Sequence, residues 1–355
     1  MTDRVHRVAV IPGDGIGKEV VPAARTVIDA VGERRDFSCV WTDFDWSCER
    51  HAATGSMTGG GSIEELADHD AIFLGAIGYP GVADHVSLWG LLIPIRRRFA
   101  QYVNLRPVRL FPGVRTPLAD RGPEDIDFVI VRENNEGEYS EIGGRLYAGT
   151  PAELAVQQSV FTRVGVDRVL RYAFELARTR PARHLTSATK SNGIIHTMPF
   201  WDERFRAMAA EYPDVRTDQF HIDILSAHLV QHPDWFDVIV ASNLFGDILS
   251  DLGPAIAGSI GLAPGANLCP DRSQPSMFEP VHGSAPDIAG RGVANPIAQI
   301  LTGAMMLEHL EETAGAAALV SAVERVLAAG VVQTGDLGGR ATTAEMTAAV
   351  IDALD

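Results

Sequence analysis

Val8-Ala9-Val10-Ile11-Pro12-Gly13-Asp14-Gly15-Ile16-Gly17 is the stretch on which the fold turns. An apolar, β-branched run enters a glycine-rich turn, and the helix-like segment Gly17–Val31 leaves it. This order invites comparison with the dinucleotide fingerprint, in which GxGxxG joins a strand to a helix and an acidic residue follows about twenty positions on. The spacing here is GxGxG, and no acidic residue closes a second strand at that distance. The turn therefore reads as a tight strand-to-helix connection that needs glycine torsion angles, not as a Rossmann fingerprint.

Outward from this turn, three further short apolar runs read as buried strands: Ala71–Leu74, Phe128–Val131 and Val238–Ser242. Each is bounded by Gly, Asp, Pro or Asn, and helix-like stretches such as Val166–Thr179 alternate with them. The segment Thr302–Leu354 is rich in Ala, Leu and Glu and reads as helices. Alternation of this kind predicts an α/β protein with a largely parallel sheet. No repeat, low-complexity linker or composition shift marks a domain boundary.

The chain has 355 residues, 46% hydrophobic and 21% charged, with a formal charge of −16. Such acidity disfavours nucleic acid and anionic membranes as partners. It also means that a small anionic substrate needs a local basic cluster. Cys39, Cys48 and Cys269 are odd in number and form no CxxC pair, so neither a disulfide framework nor a zinc site is expected, and a reducing cytoplasm is the simplest setting. No signal peptide and no run of about 18 apolar residues is read.

Five sets of residues carry candidate chemistry. Asp247 and Asp251, in Asn243-Leu-Phe-Gly-Asp-Ile-Leu-Ser-Asp251, are four apart and share a helix face. Their like charges favour a hard cation such as Mg²⁺ or Mn²⁺, although two solvated aspartates are the plainer account. Among Arg96, Arg97, Arg98, Arg106, Arg109 and Arg132, several converging guanidinium groups can grip a dicarboxylate. Arg97, Arg98 and Arg109 read as solvated. In Phe278-Glu-Pro-Val-His282-Gly-Ser-Ala-Pro-Asp287, exposed amides suit a phosphate and a carboxylate suits a ribose diol. Thr186-Ser-Ala-Thr-Lys190-Ser-Asn192-Gly193 and Glu133-Asn-Asn-Glu-Gly-Glu-Tyr139 place a lysine and a tyrosine in polar turns.

Together and in this order, "IPGDGIG", "NLRP", "VRENNEGEY", "TKSNG", "NLFGDILSDL" and "FEPVHGSAPDIAG…ANP" resemble the β-decarboxylating dehydrogenases, the family of isopropylmalate, isocitrate and tartrate/D-malate dehydrogenases. The match runs from residue 11 to residue 296. The resemblance implies a two-domain α/β fold with a large mixed sheet, distinct from a Rossmann fold. One domain comprises residues 1–101 and 258–355, and the other residues 102–257, with an arm near 137–157. It implies a homodimer with shared active sites. Arg96, Arg106 and Arg132 are expected to bind substrate carboxylates. Asp247 and Asp251, with Asp223 from the second copy, are expected to hold Mn²⁺ or Mg²⁺. Lys190 is expected to assist removal of the hydroxyl proton, and Tyr139 to protonate the enolate left by CO₂ loss. His282, Gly283, Ser284, Ala285, Asp287 and Asn295, with Asn192 near the nicotinamide, are expected to bind the dinucleotide. Asp287 stands where NADP-preferring members carry a cation, so NAD is expected. K⁺ assists some members, and no residue here decides whether it does so in this chain.

The family reads its substrate through the segment before Arg96, here Asp84-His-Val-Ser87-Leu-Trp89-Gly-Leu-Leu-Ile-Pro94-Ile-Arg96. "SLWG" and "ENNEGEYS" look most like the tartrate/D-malate branch, with Ser87 and Trp89 as specificity residues. Isopropylmalate oxidation is the alternative substrate reading, and a non-catalytic regulatory subunit the alternative of another class. Pro94 departs from the branch pattern and is expected to bend the helix start.

Overall fold

The run Val8–Ile11 forms the fully buried part of strand β1 (Arg4–Gly13) in a computed structural model that describes residues 4–355. Its turn into helix α1 (Gly17–Arg35) uses the left-handed region at Gly13 (φ 70°) and Gly15 (φ 53°). A Cβ at Gly15 would collide with the Ser284 carbonyl, so glycine is required for close approach as well as for torsion. The buried Asp14 carboxylate accepts the amides of Cys48, Glu49 and Gly78 at 2.9–3.0 Å. It thereby ties the turn to helix α2 (Cys48–Thr54) and to the exit of strand β3 (Ala71–Ala76). Asp43 closes a second parallel strand, β2 (Phe37–Asp43). It lies farther along than the fingerprint places it, and its carboxylate pairs with Arg25 at 2.7 Å.

Beyond β3 the chain forms α3 (Asp84–Ser87), a wide π-helical turn (Leu88–Leu92) and α4 (Ile93–Arg98). Pro94 brings no N–H to this ladder, and just before it the Ile93 amide reaches back five residues to the Leu88 carbonyl. The expected bend thus takes the form of a π turn, an irregularity that re-aims the side chains after it. Strands β4 (Val103–Arg109) and β5 (Asp127–Glu133) follow, then an exposed hairpin, β6 (Gly143–Leu146) and β7 (Leu154–Gln157). The remaining elements are α5 (Arg163–Thr179), β8 (His184–Thr189), α6 (Thr197–Ala209), β9 (Arg216–His221), α7 (Ile222–Gln231), β10 (Val238–Ala241), α8 (Asn243–Ile256), β11 (Ala266–Leu268), β12 (Ser276–Phe278), α9 (Ile297–His309), α10 (Thr313–Ala329) and α11 (Thr343–Asp352).

Ten strands make one sheet in the order β2-β1-β3-β12-β11-β4-β5-β10-β8-β9. Its outer parts are parallel, as the alternating sequence predicts, but the β12–β11, β11–β4 and β4–β5 pairings are antiparallel. The sheet is therefore mixed and is not a Rossmann arrangement. Strands β11 and β12, three residues each, are too short to carry a periodic signal and stayed invisible in the sequence. Pairing of Ala266 with Leu105 joins the half built from residues 4–76 and 266–278 to the half built from residues 103–241. Helices α1, α9 and α10 pack apolar side chains on the first half, and α5 and α8 on the second. Among the described residues no helix is long and apolar enough to cross a membrane.

Candidate active site

Arg96 on α4, Arg106 on β4 and Arg132 on β5 converge at the seam, and all three are buried. The Arg96 guanidinium donates to Glu279 Oε1 at 2.7 Å, and Arg106 lies 3.7 Å from the same oxygen. Asn267 Nδ2 donates to that oxygen as well, at 2.8 Å. Arg106 Nε donates to Asn104 (2.7 Å), whose amide donates to Asn267 Oδ1 (2.8 Å), and Asn134 joins the same oxygen at 2.9 Å. Burial pulls Arg106 down to about 10 despite Glu279, and Arg132 and Arg96 pull the same way. Burial opposes the charge on Glu279, but Arg96 and Arg106 outweigh it and hold the carboxyl below its usual range. Arg96 and Arg106 share one buried carboxylate here, with the buried Arg132 nearby on Asp247, and this local excess of positive charge is one that an anion relieves.

The loop after β5 is acidic because its carboxylates satisfy amides. Glu133 accepts the amides of Asn135 and Glu136 at 2.9 Å, and Glu136 caps α5 through the amide and hydroxyl of Thr162 at 2.8 Å. Glu138 accepts from the Ser242 hydroxyl (2.8 Å) and the Leu244 amide (3.1 Å). It caps α8, whose N-cap residue Ser242 makes no side-chain capping bond of its own. The same loop carries Tyr139, whose hydroxyl donates to Asp247 Oδ2 at 2.8 Å.

Asp247 also pairs with Arg132, whose guanidinium lies 5.5 Å from the Tyr139 ring centre. Arg132 is further fixed by Asn243 Oδ1, at 2.7 and 3.1 Å. Gly246 makes room for it: a Cβ there would stand 2.5 Å from Arg132 Cβ. Burial opposes the Asp247 charge, yet Arg132, Tyr139 and Arg106 keep its carboxyl low. Asp251, one turn on, is pushed up by burial and then by Asp247. Burial, followed by Asp247, raises Tyr139 to about 12. An acidic pair of this kind, with hard oxygen donors and one member reluctant to ionise, fits a divalent cation.

Lys190 donates to Asp223 at 2.7 Å, and the pair is largely exposed. Among the described residues no three metal-type side chains cluster within the one chain. Asp223 is therefore not brought together with Asp247 and Asp251, and the chain presents two separate half-sets.

Around the opening turn, the Ser284 carbonyl accepts from the Ile16 amide at 2.9 Å. Ala285 holds a positive φ of 40°, while Gly283 and Asp287 are exposed. His282 Nδ1 faces the Gly283 carbonyl at 3.0 Å, which makes that nitrogen the donor. Its buried Nε2 has no partner, and burial lowers its pKa, so the ring presents a neutral acceptor. Asn295 accepts from the Ile297 amide and donates to Asp336 at 3.0 Å. An orphaned buried acceptor beside open glycine amides fits a dinucleotide. Asn192 is exposed beside Lys190.

Ser87 caps its own turn by donating to the Asp84 carbonyl, and Trp89 is half-buried under the Arg97 guanidinium at 5.1 Å. Arg97 departs from its reading as a solvated side chain: it donates to the Tyr139 carbonyl (3.0 Å) and to Glu141 (2.9 Å). Arg98 and Arg109 do pair at the surface, with Glu64 and Glu324. Sequence reasoning gave no role to Glu279, Asn104, Asn267 or Asn243. Glu279 lies inside the quoted "FEPVHGSAP", but nothing in that string tells that it faces residues 96 and 106.

A model of the isocitrate/isopropylmalate dehydrogenase family matches residues 7–350. The chain belongs to that family. It is 57% identical to D-malate dehydrogenase [decarboxylating] of Escherichia coli over 98% of both chains. It is 54% identical to tartrate dehydrogenase/decarboxylase of Pseudomonas putida, over 98% of this chain and 97% of that one. Isocitrate dehydrogenase from Methylococcus capsulatus superposes with a TM-score of 0.88 at 35% identity, over 98% of this chain and 99% of that one. The chain is thus an enzyme, a dehydrogenase of the decarboxylating kind, as the sequence reading expects.

Proposed function

We propose that the chain is an NAD-dependent, divalent-metal-dependent dehydrogenase that converts D-malate to pyruvate and CO₂ and oxidises tartrate. The observation that carries the proposal is the convergence of three buried guanidinium groups at the seam, one of them paired with an aspartate of a helix that bears two. With a divalent cation on Asp247 and Asp251, and Lys190 and Asp223 supplied by a second copy, fixed charges at the site leave an excess of two positives. A dicarboxylate dianion balances that excess. The dimer draws support from exposed apolar side chains on the hairpin (Leu146, Leu154, Val156) and on α7 and α8 (Ile224, Ile248).

Arg96, Arg106 and Arg132 orient the substrate by its carboxylates. Lys190 takes the hydroxyl proton as hydride leaves C2. The chemistry a divalent cation supplies between the carboxylates is polarisation of the C2 oxygen, and that of the dinucleotide is acceptance of the hydride. The C3–carboxylate bond then breaks, CO₂ leaves, and the electron pair it leaves is protonated at C3 by Tyr139, which is fully protonated at neutral pH. Asp287 favours NAD, since its carboxylate accepts from a ribose diol and repels a 2′-phosphate. In this reading Trp89, half-buried under Arg97, fills the space that a larger substituent would take, which favours a small hydroxy acid.

The test is NADH formation by purified protein with Mn²⁺ and, separately, D-malate, L-tartrate, meso-tartrate, isopropylmalate and isocitrate. Fast D-malate and measurable tartrate turnover supports the reading. Faster turnover of isopropylmalate than of both overturns the substrate assignment, and no turnover in any well overturns the proposal.

A further inference from the structure

Arg97 is the one arginine of the Arg96–Arg98 run that reaches across the seam. Its neighbour Arg96 points into the buried cluster, and Arg98 pairs with Glu64 at the surface. One guanidinium nitrogen of Arg97 donates to the Tyr139 carbonyl at 3.0 Å and another to Glu141 Oε2 at 2.9 Å. The plane of the group lies over Trp89 at 5.1 Å. Arg97 therefore touches both the segment that reads the substrate and the backbone that carries the tyrosine. The Glu141 pair is mostly exposed and worth little alone. The Tyr139 contact is different, because that residue is already held by its hydroxyl on Asp247 and by its ring beside Arg132. The loop behind it turns at Gly137, with φ 82°. Among the described residues, the Arg97 bond is the one side-chain hydrogen bond that ties this tyrosine to the other half of the molecule.

We infer that Arg97 is a positioning residue that couples the Trp89 segment to Tyr139 and so sets how much of the oxidised substrate is decarboxylated before release. The inference rests on the proposed role of Tyr139. In balanced form, the substrate becomes a 2-keto dicarboxylate by losing the C2 hydride, for which a bound nicotinamide dinucleotide would be the acceptor, and the hydroxyl proton, which passes to Lys190. The C3–carboxylate bond then breaks, CO₂ departs, and C3 gains the Tyr139 proton, which solvent returns to the phenolate. If Tyr139 sits out of line, the 2-keto dicarboxylate leaves intact. Lysine at position 97 keeps a charge and one donor but cannot fork to two acceptors.

The experiment compares wild type, Arg97→Met, Arg97→Lys and Tyr139→Phe, each with D-malate, NAD and Mn²⁺, after thermal melts establish that each is folded. Mass spectrometry gives the ratio of oxaloacetate to pyruvate released. Decarboxylation of added oxaloacetate is measured alongside. In Arg97→Met, decarboxylation falls roughly ten- to a hundred-fold, oxidation falls less, and the released ratio shifts toward oxaloacetate. Arg97→Lys lies between it and wild type. An Arg97→Met ratio equal to wild type, with Tyr139→Phe shifted, overturns the role of Arg97 alone. A ratio unmoved in Tyr139→Phe overturns the reading of Tyr139 and the inference with it. Oxidation and decarboxylation falling in equal proportion in Arg97→Met overturns the coupling in favour of a purely structural role.

Discussion

Replacing Glu279 by Gln changes one charge and almost no volume, at the point where three guanidinium groups meet. The glutamine carbonyl can still accept from Asn267 Nδ2, now 2.8 Å away. What is lost is the carboxylate that faces Arg96 at 2.7 Å and Arg106 at 3.7 Å, with both side chains more than nine-tenths buried. Removing one partner of a buried pair costs about 3–5 kcal/mol, because the remaining charge stays desolvated. Asn267 and Asn104 keep their hydrogen bonds in the cluster, so the lower end, about 3 kcal/mol, is expected. Urea unfolding at fixed protein concentration should show the midpoint falling with an unchanged slope. Malonate, an unreactive dicarboxylate, should then narrow the gap between variant and wild type, since a bound dianion supplies the missing charge and stabilises by mass action. A gap below about 1 kcal/mol would mean that the cluster does not depend on this carboxylate. A gap that malonate leaves unchanged would refute the view of the cluster as an anion site.

Asp247→Asn should abolish turnover and weaken Mn²⁺ binding, followed by the resonance of free Mn²⁺, while the melt stays cooperative; undiminished activity would remove Asp247 from the metal set. Gly246→Ala puts a methyl group 2.5 Å from Arg132 Cβ. Overpacking of this kind costs about 1–3 kcal/mol, and KM for malate should rise well beyond KM for NAD; equal KM values to wild type would show that Arg132 has room to spare. Glu133 is raised to about 7 by burial, against the pull of two backbone amides. Its folded value exceeds its unfolded value of 4.5. Its contribution is therefore complete below about 4.5 and lost as pH rises through about 7, roughly 3 kcal/mol in all. Urea midpoints between pH 5 and 8 should carry this slope in wild type and lack it in Glu133→Gln; parallel slopes would place the titration elsewhere.

The strands at Val8, Ala71, Phe128 and Val238 were legible because burial on both sheet faces leaves a continuous apolar run, and the C-terminal helices because their segment is rich in Ala, Leu and Glu. The glycine turn was legible because few residues other than glycine tolerate its torsions. Asp247 and Asp251 could be put on one helix face because their spacing is local. The arginine cluster could be guessed but not assembled, since Arg96, Arg106, Arg132 and Glu279 come from four separate elements. Spacing along a chain says nothing about which strands lie side by side, and β11 and β12 are too short to announce themselves. The sequence reading also left Arg97 and Arg98 in solvent and set only Arg96 toward the substrate. In the fold Arg96 is buried, Arg97 crosses to Tyr139 and Arg98 stays outside, because successive helical side chains point about 100° apart. By itself, then, the sequence determined the element types, the glycine turn and the family. Tertiary structure alone decided which charges share a site, because that follows from strand pairing across the seam between residues separated by more than a hundred positions in the chain.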